Sequence, residues 1–240
     1  WKDGKLHGKG ILREAWGAIY IGDFNNNMAE GYGRQEEPDG SWWEGEVKND
    51  KLHGKAILYE APDKCRSEGI FKDFQLYGPG TVKCEDGFHS GGNYKNNLLN
   101  GQGFIKYASG TEYSGEFVDG YLNGKGFIRF DTGSEYSGEF IKDKLNGQGF
   151  IRFNTGTEYS GEFKNDELNG KGEIKWDTGS IERGQYIDSY LEGEGFWSSK
   201  VGEKYYGQFK KGTFQGKGKY IYPNGDFFEG EFKEDLKIYG

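Results

Sequence analysis

The sequence predicts an all-β chain: an elongated single-layer antiparallel sheet of stacked 23-residue β-hairpin repeats, a solenoid or rod. Three observations predict it. A Gly-x-Gly pair, with Ala56 in one second slot, opens at Gly8, Gly31, Gly54, Gly78, Gly101, Gly124, Gly147, Gly170, Gly193 and Gly216, at a step of 23 residues with one step of 24. A second landmark, aromatic-x-Gly-x-aromatic, follows most pairs, as in Tyr113/Gly115/Phe117, Tyr136/Gly138/Phe140 and Tyr159/Gly161/Phe163. Between the two stands a turn signal such as Asp39-Gly40, Ser109-Gly110 or Thr132-Gly133, which with its flanking alternation reads as a hairpin. At about 4.8 Å per strand, ten units of two strands would extend roughly 95 Å.

Taken in order, the chain starts inside a unit, because Trp1 fills a second aromatic slot whose first half is missing. At the other end Phe232 completes a landmark and Tyr239-Gly240 stops mid-unit. Residues 1–240 therefore read as one continuous array of about ten units, truncated mid-repeat at both ends. The units from Gly31 through Gly92 are the least regular: Lys64 replaces the turn glycine after Pro62, one residue is added, and Ser67 and Ser90 stand where Tyr is expected. A bulge or bend is expected there. The units at Gly101, Gly124 and Gly147 are the most regular, and the one at Gly170 loses its landmark to Glu182-Arg183-Gly184-Gln185-Tyr186. A leucine row, including Leu52, Leu99, Leu122, Leu145 and Leu168, is expected to seal the linker edge of the stack.

Alternation assigns the faces, since successive strand side chains point to opposite sides. In the unit at Gly124 the core face carries Gly124, Gly126, Ile128 and Phe130, joined by Tyr136, Gly138 and Phe140 from the returning strand. The opposite face then holds Phe104, Phe127 and Phe150, about 10 Å apart, with Phe196 in the same slot. Contiguous exposed apolar surface marks a binding site, so these four are the candidate partner-binding residues. Two positions further on runs a basic row, Lys106, Arg129, Arg152 and Lys175, faced by Glu112, Glu135 and Glu158 and by a second acidic row, Glu116, Glu139 and Glu162. Opposite charges on adjacent strands make a ladder that fixes register and keeps the surface soluble.

Composition narrows the function. With 43 glycines and 33% hydrophobic residues among 240, burial must come from the 17% aromatic content laid out along a line. The net charge of −8 argues against nucleic acid, whose binding needs a basic stripe, and against membranes, which attract uncompensated Lys/Arg clusters. No apolar run is long enough for a spanning helix. Cys65 and Cys84 occupy non-equivalent positions of neighbouring units, which argues against a disulfide framework and for a reducing, cytoplasmic setting. No His/Cys/carboxylate set has metal spacing, and no catalytic constellation stands out from the periodic acids, so no enzyme activity, metal or cofactor is expected.

The paired landmarks, Tyr-x-Gly-x-Phe and then Gly-x-Gly with an Asx-Gly turn, resemble the membrane occupation and recognition nexus (MORN) repeat family over essentially the whole chain. The all-repeat composition is similar to that of ciliary, axonemal and radial spoke members. The resemblance implies a non-catalytic scaffold in a cytoskeletal assembly, with other proteins of a large complex as partners and the cytoplasm or the axoneme of a cilium or flagellum as its place. Self-association through open sheet edges is a further expectation. Other family members imply two alternatives: a membrane-contact, phosphoinositide-linked module, or the repeat segment of a larger enzyme such as a lipid kinase, a lysine methyltransferase or an exchange factor.

Overall fold

In a computed structural model the chain forms two compact units, Trp1–Tyr121 and Leu122–Gly240. The structure describes residues 2–238, so Trp1 and Tyr239-Gly240, on which the expected mid-repeat ends were read, lie outside the described residues. The described chain is all-β, from β1 (Gly8–Arg13) to β21 (Leu236–Ile238), with no helix. Within each unit every strand pairs antiparallel with the next in sequence. Hairpins in chain order are what the two landmarks predict.

Two kinds of turn alternate. One is a five-residue loop at the Asx-Gly signal: Phe130 N–H donates to the Ser134 carbonyl at 2.9 Å, and Gly133 N–H to the Phe130 carbonyl at 2.9 Å. The other is a two-residue turn in which both residues take positive φ, as at Lys142 (48°) and Asp143 (66°), the conformation that matches the twist of a tight hairpin. Its second residue has a further task. Asp143 Oδ1 accepts from the Leu122 N–H at 2.6 Å while its own N–H donates to the Leu122 carbonyl at 3.0 Å. Asp166 does the same for Leu145, and Asn97 for Leu76. Each turn is thereby tied to the hairpin before it.

The core lies on the predicted face. Ile128, Ile151, Phe140 and Phe117 are each 1% exposed. The leucine row is part of this core rather than an edge seal, for Leu52, Leu122, Leu145 and Leu168 have no exposed surface at all. Their burial follows from a bend at Gly-x-Gly. A side chain built on Gly126 would lie 2.7 Å from the Leu122 Cδ2, whereas residues four apart in a flat strand are about 13 Å apart. Gly124, at φ 111°, lets β11 (Tyr121–Arg129) turn back so that the leucine covers bare glycine backbone. Leucines thus fill much of the space over the glycines, and aromatic rings share it, as Tyr20 does over Gly22 and Gly33 and Phe209 over Gly195.

In the irregular region one expectation is refined and one is corrected. The bulge expected here is not at Pro62: the strands Lys51–Glu60 and Cys65–Lys72 pair without a break from His53↔Lys72 to Glu60↔Cys65 and, each one residue longer than its counterpart in the unit at Gly124, absorb the added residue around a four-residue turn. Register shifts fall at the landmark glycine in this region as in the regular units, as between Gly69 and Phe71 and between Gly138 and Phe140. The correction is chemical. Cys65 and Cys84 face each other across adjacent strands, with Cα atoms 4.0 Å apart, and are joined by a disulfide. Antiparallel pairing brings different repeat positions together: with Gly69 opposite Gly80, four residues back on one strand meets four residues on along the other.

Candidate interaction surface

The outer face is ordered by the same register that builds the core. In the second unit one row runs Phe127, Ser137, Phe150, Ser160, Glu173, Arg183, Phe196, Tyr206, Lys219 and Glu229, each opposite the next on the adjoining strand. Phe127 and Phe150 thus stand two strands apart with serine between them. They are not continuous with Phe196, because Glu173 and Arg183 are ion-paired across the gap. Against the burial that would raise it, bonds from Arg183 and Lys175 hold the Glu173 carboxyl below the usual carboxylate value. Phe104 belongs to the first unit, where it is 38% exposed and packs edge-on against His89 at 4.9 Å.

The rings are partly roofed by their neighbours. The guanidinium of Arg129 lies 5.7 Å from the Phe127 centroid, that of Arg152 lies 5.6 Å from Phe150, and that of Arg183 lies 5.6 Å from Phe196, the range of cation–π attraction. The result is three half-buried rings, not a bare stripe.

The charge ladder is present over part of its predicted length. Arg129 bonds Glu135 at 3.1 Å, and Arg152 reaches both Glu135 at 3.7 Å and Glu158 at 3.1 Å. In the first unit Lys106 bonds Glu112 at 2.6 Å. Lys175, though opposite Glu158 in register, is bonded to Glu173 of its own strand at 3.4 Å. The second acidic row is not part of the ladder. Glu116, Glu139 and Glu162 face Gln102, Lys125 and Gln148, on the far side of the phenylalanine row.

Concave surface lies where the repeat departs from its own consensus. In the second unit a groove of about 890 Å³ is walled by Phe196, Tyr206, Arg183 and Lys219 over the bare backbone of Gly195 and Gly207. In the first unit two adjoining hollows of about 470 and 430 Å³ share Tyr32 and Glu44, with Ile21 in one and Ile57 in the other. Ile11, Ile21 and Tyr32 are 64%, 51% and 53% exposed. Tyr32 Oη donates to Glu44 Oε1 at 3.0 Å, and Arg34 bonds Glu44 at 3.2 Å. Of the predicted partner-binding residues only Phe196 lines one of these hollows. Ile21 and Tyr206 had a legible signal: both occupy the slot before the landmark glycine, which is serine in the three most regular units.

A family model for the MORN repeat matches residues 1–17, 20–42, 43–59, 92–112, 113–135, 136–158, 159–181 and 205–227. Residues 60–91 and 182–204, outside the matches, hold the two least regular stretches, yet their strands and register continue the same pattern. Alsin of Rattus norvegicus is 31% identical over 93 residues, covering 35% of this chain and 5% of that protein. Alsin of Homo sapiens is 31% identical over 88 residues with the same coverage, 35% and 5%. The chain thus aligns with a small fraction of the length of these curated relatives. Among solved structures, a mutant of the TCP10 domain of Danio rerio CPAP covers 93% of this chain and 99% of its own at 10% identity and a TM-score of 0.40, a likeness too loose to assign anything. The matched repeats span well over half of the sequence, and the chain belongs to the MORN-repeat family, whose arrays are binding modules for proteins or membranes.

Proposed function

We propose that this chain is a non-catalytic scaffold that binds other proteins through the outer face of its sheet, within a cytoskeletal assembly such as the ciliary axoneme. The observation that carries this reading is the pairing of hollows with exposed or half-exposed apolar side chains on the outer face of each unit. Ile11, Ile21 and Tyr32 in the first unit, and Phe196 and Tyr206 in the second, adjoin concave surface over bare glycine backbone. The long side chains around them are mostly paired with each other, as in Arg34 with Glu44 and Lys219 with Glu229, which leaves the apolar groups as the adhesive part. The cytoskeletal setting rests on the likeness to all-repeat members of the family.

The test is affinity capture from the source cell with three baits: the intact chain, a Phe127→Ser/Phe150→Ser double variant, and an Ile21→Ser/Tyr206→Ser double variant. Axonemal or tubulin-associated proteins recovered by the intact chain and lost with either variant are the expected result. Recovery of membrane proteins alone by all three would overturn it. Because the chain aligns with only 5% of the Alsin length, a second reading is the binding segment of a longer protein, which sequencing the full transcript decides.

A further inference from the structure

One core-facing slot breaks the repeat. Tyr136, Tyr159 and Tyr205 occupy it in three units, but in β16 (Ile181–Ile187) it holds Glu182, opposite Ile174 on one side and Trp197 on the other. The slot that pairs with it holds Ile128, Ile151 and Ile174 in regular hairpins, whereas Trp197 and Tyr220 stand there further along. A shortened acid beside enlarged rings opens a pocket of about 410 Å³ lined by Glu182, Trp197, Phe214, Tyr220, Asp235 and Lys237.

The rings form a three-sided box. Trp197 and Tyr220 are nearly parallel, 26° apart with centroids separated by 6.5 Å. Phe214 closes one side, inclined at 68° to Trp197 and 61° to Tyr220. Ring faces attract cations, and the chain already uses these: Lys237 Nζ rests 4.2 Å from the Tyr220 centroid and 4.3 Å from that of Tyr222, bonded to the Tyr222 hydroxyl. Two carboxylates against one ammonium leave the lining one negative charge in excess. Asp235 is fixed by the Phe214 N–H at 2.7 Å. Glu182 accepts from the Trp176 indole, and burial holds its carboxyl above the ordinary value, a cost that a bound cation would offset.

We propose that this pocket binds a quaternary ammonium group. A primary ammonium is strongly hydrated and needs acceptors such as the Tyr222 hydroxyl that Lys237 uses; a trimethylammonium is weakly hydrated and suits ring faces with a carboxylate behind them. Its carrier is either a trimethylated lysine side chain or a choline headgroup, which share that chemistry.

The full chain is titrated with choline chloride, followed by tryptophan fluorescence and calorimetry, beside 3,3-dimethylbutanol, its neutral isostere. Saturable choline binding is expected, with the isostere at least about tenfold weaker. Glu182→Gln should weaken choline about tenfold without lowering the melting temperature, and Tyr220→Leu should abolish saturation. Equal binding of the neutral isostere, or unchanged affinity in Glu182→Gln, overturns the proposal. A trimethyl-lysine peptide and phosphocholine then separate the carriers: the tighter of the two names the source, and failure of both to bind overturns the site.

Discussion

Leu145 shows at one residue how this family replaces a globular core. It has no exposed surface, and its Cδ2 lies 2.9 Å from where a side chain on Gly149 would begin. Leu145→Ala should cost about 2–5 kcal/mol, as buried leucines do, and Gly149→Ala about 1–3 kcal/mol by overpacking, both read from urea unfolding. Glu182 is a residue-scale liability of the opposite kind. Its carboxyl is raised above 4.5 by burial, and the hydroxyls of Tyr159 and Tyr186 that sense its charge are themselves pushed up, by burial first and Glu182 second. A raised folded value means that the protonated acid is the better tolerated form, so its contribution is full below the unfolded value and is lost as pH rises through the folded one. Glu182→Gln should therefore raise the melting temperature at neutral pH and make no difference near about pH 4. The glutamate was legible in the sequence as a lost landmark; its pocket was not, because that needs the rings of two later strands.

Among elements, the hairpin β6 (Cys65–Lys72) to β7 (Gln75–Cys84) is singled out by its cross-strand disulfide. The bond closes a loop with a sequence separation of 19, for which chain entropy gives about 3 kcal/mol. Reductant should lower the melting temperature of the parent chain to that of the Cys65→Ser/Cys84→Ser variant and leave the variant unchanged. The turn ladder makes a subtler prediction. Asp166→Ala removes the acceptor of the Leu145 N–H at a cost of about 1–3 kcal/mol, and faster amide exchange at Leu145 is the sign. The ladder from Arg129 to Glu158 should matter less, since exposed pairs contribute about 0–1 kcal/mol each. The alternation of faces within each hairpin followed from the period of two. The turn ties did not, because they join residues 21 apart that no local pattern connects.

For the whole molecule, a repeat array is stabilised chiefly by contacts between neighbouring units. Leu145→Ala should therefore speed amide exchange in β13 (Lys144–Arg152) and β14 (Glu158–Lys164) while leaving β2 (Ile19–Asn25) and β4 (Trp42–Lys48) as protected as before. Loss of protection throughout would mean a single cooperative unfolding step instead. The sequence by itself determined the all-β class, the hairpin order, the core face and the family, because each rests on spacing, and spacing of 23 with an alternation of two leaves one arrangement. Tertiary structure alone decided what depends on the bend at Gly-x-Gly and on register between strands. These are the depth of the leucines, the Cys65–Cys84 bond, the roofing of Phe127 and Phe150 by arginine, the break at Glu173–Arg183, and the hollows on the outer face. The physical reason is that a one-dimensional period specifies which side a residue faces, while contact across strands depends on how the backbone curves and which partner each turn and bulge brings opposite.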